Sequence, residues 1–277
     1  MKQHILVAAI FLTSCTTHHI IQQKISKEAA LTAKNKLKAS SNDDFKPYQY
    51  HDIHYRLLSP PDTTATYPLV VVLHGSGAVG TDNITQQGVL VKLWAQPDIR
   101  NKYPAYVLAP QFPQRSSNYT LDSTRNVLVS APDPSVNTVL HLIDSLKKIL
   151  PINNRKIYVI GFSMGASTAL NALALRPDLF AAAISVSGIP DFKRSRKTPL
   201  LLIHGNADHE NPFSSDSLFY KTMHDRHIQF WEIDQLEHEV YPELYMSDAI
   251  PKWLFKHWLF RISGIANMDT MVSILNE

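Results

Sequence analysis

The segment at residues 161–165 reads Gly-Phe-Ser-Met-Gly, and it constrains the fold more than any other part of the chain. It follows the predicted strand at residues 156–160, which reads Lys-Ile-Tyr-Val-Ile, and leads into residues 164–175, which are rich in alanine and leucine. Glycines between a buried strand and a helix allow close backbone approach, because a Cβ would collide there. The segment therefore predicts a strand, a sharp turn that carries Ser163, and a helix packed closely against the strand.

Other apolar runs alternate with helical patterns along the chain. Residues 69–73 are continuously apolar and branched, as in a strand that is covered on both faces of a parallel sheet. Helical spacing at residues 136–150 and helices at 164–175 and 215–225 separate several such runs. The alternation predicts an α/β fold: a doubly wound, mostly parallel sheet with helices on both faces. The other predicted strands are residues 105–108, 156–160, 182–186, 200–203 and 228–233.

The composition fits one large globular domain. Of the 277 residues, 44% are hydrophobic and 18% are charged, which argues against intrinsic disorder and against a polytopic membrane protein. The formal net charge of +3 arises near the N-terminus, where residues 16–46 hold six lysines and three acidic residues. From residue 47 onward, 20 basic and 21 acidic residues nearly cancel, so we expect no nucleic-acid partner.

Cys15 is the single cysteine, which excludes an intramolecular disulfide and a multi-cysteine metal site. It ends the Leu-Thr-Ser-Cys sequence of residues 12–15, which resembles the bacterial lipoprotein processing box. The preceding apolar run is shorter than the about 20 residues that a spanning helix needs. We therefore expect residues 1–14 to be a removable signal peptide and Cys15 to anchor the protein through lipid to a membrane of the bacterial cell envelope. An ordinary secretory leader is the alternative.

The rest of the chain divides by composition into three parts. Residues 15–47 are predicted to form a lipidated stalk, either a solvated spacer or a segment whose lysines touch anionic headgroups. Residues 48–262 are predicted to form the domain, and residues 263–277 a C-terminal tail. The polar stretch at residues 110–134 contains four prolines and is expected either to border the site or to be a surface excursion.

Ser163 is the candidate nucleophile, because the sharp turn would place its hydroxyl beyond the strand end and at a helix N-terminus. A serine hydroxyl needs a base, and the base needs an orienting carboxylate. His238 follows the last predicted strand and is the preferred base, with His209 as second choice. Asp208 follows the strand at residues 200–203 and is the preferred acid, with Asp191 as its rival.

Backbone N–H groups beside the serine would form an oxyanion hole, which stabilises negative charge on the substrate carbonyl oxygen. Met164, next after Ser163, would supply one N–H group, and Ser76 in the glycine-rich turn after residues 69–73 would supply the other. His74 and His204 are interpreted as structural residues that brace their loops.

Together these residues and four further segments resemble the α/β-hydrolase superfamily over roughly residues 48–260. Within it they are similar to a bacterial esterase group often described as predicted peptidases, near polyhydroxybutyrate-depolymerase-like and feruloyl-esterase-like enzymes. The segments are Tyr-Arg-Leu-Leu-Ser-Pro at 55–60, Tyr-Pro-Leu-Val-Val-Val-Leu-His-Gly-Ser-Gly at 67–77, Gly-Thr-Asp-Asn at 80–83 and Ala-Pro-Gln at 109–111.

The resemblance implies an α/β-hydrolase fold and serine hydrolysis of carboxylic esters through an acyl-enzyme, without a metal or organic cofactor. It implies catalytic roles for Ser163, Asp208 and His238, and a small-molecule or polymer-borne ester as substrate. Two alternatives stay open: a serine peptidase on the same scaffold, and a non-catalytic surface-binding homologue.

Overall fold

A computed structural model describes residues 18–62, 64–193 and 198–259. In these ranges nine strands form one sheet, in the order β1-β11-β10-β9-β8-β4-β5-β3-β2, and β6 and β7 form a separate hairpin. The strands are β1 (His18–Ile21), β2 (Phe45–Tyr50), β3 (Ile53–Leu58), β4 (Tyr67–Leu73), β5 (Tyr106–Gln111), β6 (Ser117–Asp122), β7 (Val127–Pro132), β8 (Ile152–Phe162), β9 (Ala182–Val186), β10 (Leu200–Gly205) and β11 (Ile228–Ile233).

Parallel pairing dominates the large sheet. In the spatial order of the sheet, every neighbouring pair in the series β1-β11-β10-β9-β8-β4-β5 is parallel. The two remaining pairs, β5 with β3 and β3 with β2, are antiparallel. The mostly parallel α/β sheet is therefore confirmed. The helices are α1 (Lys27–Ala39), α2 (Val89–Lys92), α3 (Pro97–Lys102), α4 (Ser135–Ile149), α5 (Met164–Leu175), α6 (Phe213–Met223), α7 (Glu243–Met246) and α8 (Ala249–Leu254).

The two faces of the sheet are buried in two separate cores, and β4 shows how the sequence achieves this. Leu69, Val71 and Leu73 point into one core, which contains residues of α4, α5 and α6. Val70 and Val72 point into the other, which contains residues of α2 and α8. Successive side chains of a strand point to opposite faces, so a continuously apolar run is stable only when both faces are covered.

The predicted elements agree closely with the observed ones in the centre of the sheet. The strands β9 and β11 and the helix α5 have the predicted bounds. Strand β8 is longer than predicted, because Ile152 also pairs with Tyr67 of β4 across an irregularity. Residues 110–134 contain the β6–β7 hairpin, which the prolines of this stretch had obscured.

The predicted stalk at residues 15–47 is wrong for its described part, and the domain extends well before residue 48. β1 pairs in parallel with β11 and forms one edge of the large sheet. The side chain of Ser26 caps the N-terminus of α1. At the other end of this helix, the ammonium of the buried Lys92 donates to the carbonyl of Lys38 in the last turn and to that of the C-cap residue Ser40. The sequence hid this packing, because Leu37 alone in α1 is buried and the helix shows little apolar periodicity.

The predicted signal peptide at residues 1–14, Cys15 and the tail at residues 263–277 lie outside the described residues. Within the described ranges, no helix combines the length and the apolar character that crossing a bilayer requires.

Candidate active site

Ser163 occupies a strained turn between β8 and α5. Its backbone has φ 55° and ψ −121°, in the left-handed half of conformational space that residues with a Cβ rarely adopt. A Cβ on Gly161 would overlap the carbonyl of Gly165, and a Cβ on Gly165 would overlap the carbonyl of Leu73. The two glycines thus allow α5 to lie against β4 and β8. The Ser163 side chain makes no capping hydrogen bond to α5, which leaves its hydroxyl available for other partners.

Three side chains from distant parts of the chain meet at the carboxyl ends of the strands. His238, in the loop after β11, places Nε2 2.9 Å from Oγ of Ser163. Its Nδ1 lies 2.7 Å from Oδ2 of Asp208, in the loop after β10. Because a carboxylate accepts, Nδ1 carries the proton and donates to Asp208, which leaves Nε2 of a neutral imidazole to accept the hydroxyl proton. The Phe162 ring packs against that of His238, with centroids 5.1 Å apart.

Asp208 is held as a buried anion. Burial by itself would raise the pKa of this carboxyl group, but hydrogen bonds from His204, His238 and the N–H of Asn211 outweigh burial and hold the pKa well below its ordinary range. The N–H groups of Glu210 and Asn211 both donate to Oδ1, at 3.0 and 2.9 Å. Asp208 therefore stays ionised at neutral pH and keeps a fixed orientation towards His238.

The glycine-rich turn after β4 lies directly beside Ser163. A Cβ built on Gly75 would come within 3.6 Å of Cβ of Ser163. Ser76 begins a 3₁₀ turn at Ser76–Ala78, and Met164 is the first residue of α5. The first N–H groups of a helical turn have no acceptor within that turn, so Ser76 and Met164 each carry such a group.

His74 braces this turn. Its Nδ1 lies 2.8 Å from the carbonyl oxygen of Gly75, and its Nε2 accepts from the N–H of Phe112 at 3.0 Å. These contacts fix a neutral imidazole with its proton on Nδ1. Burial also lowers the pKa of His74, although the Gly75 carbonyl and Asp82 oppose this effect. A neutral ring at this position holds the turn in place without adding charge to the site.

The two rival residues lie elsewhere. Asp191 accepts hydrogen bonds from the side chain of Asn171 at 3.2 Å and from the N–H of Lys193 at 3.0 Å. Burial raises the pKa of Asp191, which would weaken it as an anion that orients an imidazole. The side chain of His209 is exposed. The preferred choices, Asp208 and His238, are the ones that the structure brings to Ser163.

A cavity of about 390 Å³ opens beside His238 and the turn at residues 75–77. Much of its wall is apolar and comes from β4, α2 and the loop after β11. Lys34 and Lys38 of α1 also line it, and the ammonium of Lys34 lies 3.8 Å from a carboxylate oxygen of Glu239. The apolar lining residues include Val72, Leu73, Ala78, Val89, Leu90, Val91, Phe162 and Val240.

The β6–β7 hairpin packs against α5, the helix that begins directly after Ser163. The hydroxyl of Tyr119 in β6 lies 2.9 Å from Oγ of Ser167 in α5, and Ser167 also accepts from the N–H of Ile189 at 2.8 Å. Of the two expectations for residues 110–134, the position of the hairpin therefore favours a segment that borders the site.

The structural role expected of His204 agrees with its burial and its hydrogen bonds, whereas Asp216 and Asn211, which help to hold Asp208, were not identified from the sequence. The buried carboxylate of Asp216 in α6 contacts the buried imidazole of His204, and that imidazole approaches Asp208. Asn211 also donates through its side chain to the carbonyl of Ser187 at 2.7 Å. Ser215 and Asp216 are two of the three buried residues of α6, so the sequence of this helix gives no clear sign that Asp216 is buried or which partner it meets.

The strand order and the position of these side chains define an α/β-hydrolase fold. The chain belongs to the phospholipase/carboxylesterase family, whose model matches residues 59–250. That match does not include β1, α1, β2 or β3, so the N-terminal wall of the cavity lies outside the family region.

Two of the relatives that this chain matches are named as esterases. NocK of Nocardia uniformis subsp. tsuyamanensis, whose name proposes an esterase, is 30% identical over 167 residues, which are 57% of this chain and 46% of NocK. The crystal structure of a thermostable esterase is 30% identical with a TM-score of 0.69, over 78% of this chain and 64% of that one. The chain therefore spans less than two thirds of either relative.

A more distant neighbour shares the fold alone. FphF, a fluorophosphonate-binding serine hydrolase of Staphylococcus aureus, is 16% identical with a TM-score of 0.53, over 76% of this chain and 96% of that one.

Proposed function

We propose that the protein is a serine hydrolase that cleaves carboxylic esters through an acyl-enzyme. The observation that carries the proposal is the continuous set of contacts from Ser163 Oγ through the His238 ring to the Asp208 carboxylate, at 2.9 and 2.7 Å. These are the contacts that general-base activation of a serine requires. Membership of the phospholipase/carboxylesterase family supports the ester bond as the bond that is cleaved.

In this mechanism Ser163 Oγ attacks the ester carbonyl carbon while its proton passes to Nε2 of His238. The tetrahedral intermediate collapses, the bond to the alcohol oxygen breaks, and the proton on Nε2 passes to the leaving alcohol. Water then attacks the acyl-enzyme and gives its proton to the same nitrogen, and the carboxylic acid leaves as Ser163 regains its proton. Asp208 remains ionised and stabilises the imidazolium that forms in each half of the reaction.

The N–H groups of Ser76 and Met164 are proposed to bind the oxyanion of each tetrahedral intermediate. Both belong to backbone that is fixed before substrate arrives, because His74 holds the first turn and the strained turn at Ser163 holds the second. Each such donor commonly contributes about 2.7–4 kcal/mol of transition-state stabilisation. The N-terminus of α5 adds a partial positive charge at the same point.

The cavity beside His238 is proposed to hold an apolar part of the ester, because most of its wall is hydrophobic. Gly88 lines this cavity, and a Cβ built there meets no atom within 4 Å. Gly88→Leu is expected to lower kcat/KM for an octanoyl ester about tenfold and for an acetyl ester less than about twofold, because the leucine occupies space that the longer substrate needs. Equal losses for both esters would contradict this use of the cavity.

The activity is tested with 4-nitrophenyl esters and the matching 4-nitroanilides, together with a fluorophosphonate probe. We expect ester turnover, little amide turnover, and a single covalent adduct on Ser163 in the peptide mass spectrum. Faster cleavage of the anilide would favour the peptidase. A protein that neither turns over esters nor reacts with the probe would favour the non-catalytic homologue.

We also propose that the protein is anchored in the bacterial cell envelope by lipid on Cys15, on the strength of the sequence at residues 5–15. Only Thr16 and Thr17 would then separate the lipid from β1, so the domain would sit close to the membrane surface without the stalk first expected. Cys15→Ser is expected to move the protein from the membrane fraction to the soluble fraction and to abolish labelling by fatty acid. Persistent labelling in this variant would overturn the anchor.

A further inference from the structure

Asp208 is approached by a second histidine, His204, in addition to His238. His204 ends the apolar part of β10, and its side chain is fully buried. Its Nδ1 is 2.8 Å from Oδ2 of Asp216, whose side chain is also fully buried. Its Nε2 is 2.9 Å from the carbonyl oxygen of Asn211 and 3.2 Å from Oδ2 of Asp208. The same carboxylate oxygen therefore faces two imidazoles, one from His204 and one from His238.

The partners of His204 determine its charge. The Asn211 carbonyl can only accept, so Nε2 must carry a proton. Nδ1 faces a carboxylate, which stabilises a second proton on the ring. Burial by itself would lower the pKa of His204, but the carboxylates of Asp208 and Asp216 raise it to about 9. Burial raises the pKa of the Asp216 carboxyl group as well, and the hydrogen bond from His204 opposes this effect. The two carboxylates that face the ring favour an imidazolium at neutral pH.

We propose that His204, held by Asp216, is a cationic positioning residue for Asp208, so that five side chains rather than three set the basicity of the site. This inference rests on the proposed hydrolase function, since it concerns the base that activates Ser163. The relay runs from Asp216 through His204, Asp208 and His238 to Ser163.

The cation acts on His238 through the shared carboxylate. It fixes the direction of Oδ2, and it offsets part of the negative charge that Asp208 presents to His238. An unopposed buried carboxylate would hold a proton on His238 more strongly and would leave fewer molecules with a free base at a given pH. The imidazolium of His204 therefore weakens the attraction between the Asp208 carboxylate and a proton on His238.

Among the residues that the structure describes, few other charged groups lie near His204. Glu232 is its register neighbour on β11, and the carboxylate of Glu232 is already engaged by His18 and by the side chain of Asn206. Glu210, in the loop after β10, reaches within 3.8 Å of Nε2 of His238. The ring of Phe213 in α6 covers His204 edge-on, with centroids 5.8 Å apart. Asp208 and Asp216 thus dominate the field at His204.

The test is the pH profile of kcat/KM in His204→Gln, a variant that keeps a polar side chain but removes the cation. We expect kcat to fall about tenfold with KM nearly unchanged, because the orienting carboxylate is itself displaced. We also expect the acid limb of kcat/KM to move to higher pH by about half a unit or more, because His238 retains its proton longer. A role in folding alone would lower the amount of active protein without moving this limb.

Asp216→Asn is the second variant, since it keeps an acceptor for Nδ1 of His204 and removes the charge that stabilises the imidazolium. The acid limb is expected to move in the same direction by a smaller amount. His227→Gln is the matched control, because His227 forms another histidine–aspartate pair, with Asp225 at 2.9 Å, just before β11 and without contact to Asp208. Its profile should coincide with that of the wild type.

A measurement on the wild-type protein covers the case in which both variants fail to fold. Nitrogen-15 NMR of labelled histidines at pH 7.5 should show one buried ring protonated on both nitrogens, assigned to His204 through its scalar and spatial couplings. A neutral His204 overturns the inference, as do folded variants whose acid limb coincides with that of the wild type. Absence of ester turnover in a wild-type protein with a cationic His204 would instead count against the proposed hydrolase function.

Discussion

Ser163→Ala is expected to lower kcat/KM for a short acyl ester by at least about 10⁴-fold, because no other group replaces the attacking oxygen. The hydroxyl contacts Nε2 of His238 and makes no capping bond to α5, so its loss should change the free energy of unfolding by less than about 1 kcal/mol. The measurements are steady-state kinetics with a 4-nitrophenyl ester and urea unfolding followed by circular dichroism.

Ser185→Ala is the matched control for this experiment. Ser185 is a fully buried serine of the neighbouring strand β9, and Gly161 is its register partner. The turnover of Ser185→Ala should stay within about twofold of the wild type, because Ser185 pairs with a residue of β8 that precedes the turn of the nucleophile. Turnover in the Ser163→Ala variant above one per cent of the wild type would contradict the nucleophile, provided that the variant is folded.

The centre of the fold could be predicted because its signal is local. Runs such as residues 69–73 are apolar at every position, and only a strand that is buried on both faces uses such a run. The N-terminal part could not be predicted in the same way. His18 and His19 in β1 are polar, and this strand is specified by its backbone pairing with β11, more than 200 residues away. Edge strands of this kind leave little trace in local composition.

The candidate site, like the fold, has features that local sequence predicts and others that depend on tertiary packing. The position of Ser163 between two glycines fixes a turn, and the places of Asp208 and His238 after predicted strands bring them to one edge of a parallel sheet. The sequence alone predicts that these side chains lie at the same edge of the sheet, but it does not predict the distances between them. The pairing of His204 with Asp216 depends on how α6 packs against β10, and no spacing in the sequence encodes that packing.

Position 165 links the fold and the site, because it decides how closely α5 can approach β4. A Cβ at Gly165 would overlap the backbone carbonyls of Leu73 and His74, neither of which can move as a flexible side chain would. Gly165→Ala is therefore expected to lower the free energy of unfolding by about 3 kcal/mol, as the helix is pushed away from the sheet. Urea denaturation at constant pH measures this change.

The same displacement should reach the chemistry, since Ser163 directly precedes α5 and takes its position from that helix. A shift of about 1 Å in a reacting group can cost about 10²-fold in rate, so the folded fraction of Gly165→Ala should show a loss of that order in kcat. Gly88→Ala is the control, because its Cβ meets no atom within 4 Å and its φ of −70° suits any residue. Its stability should change by less than about 1 kcal/mol. If both variants proved equally stable and active, close contact between α5 and β4 would not be what places the serine hydroxyl against His238.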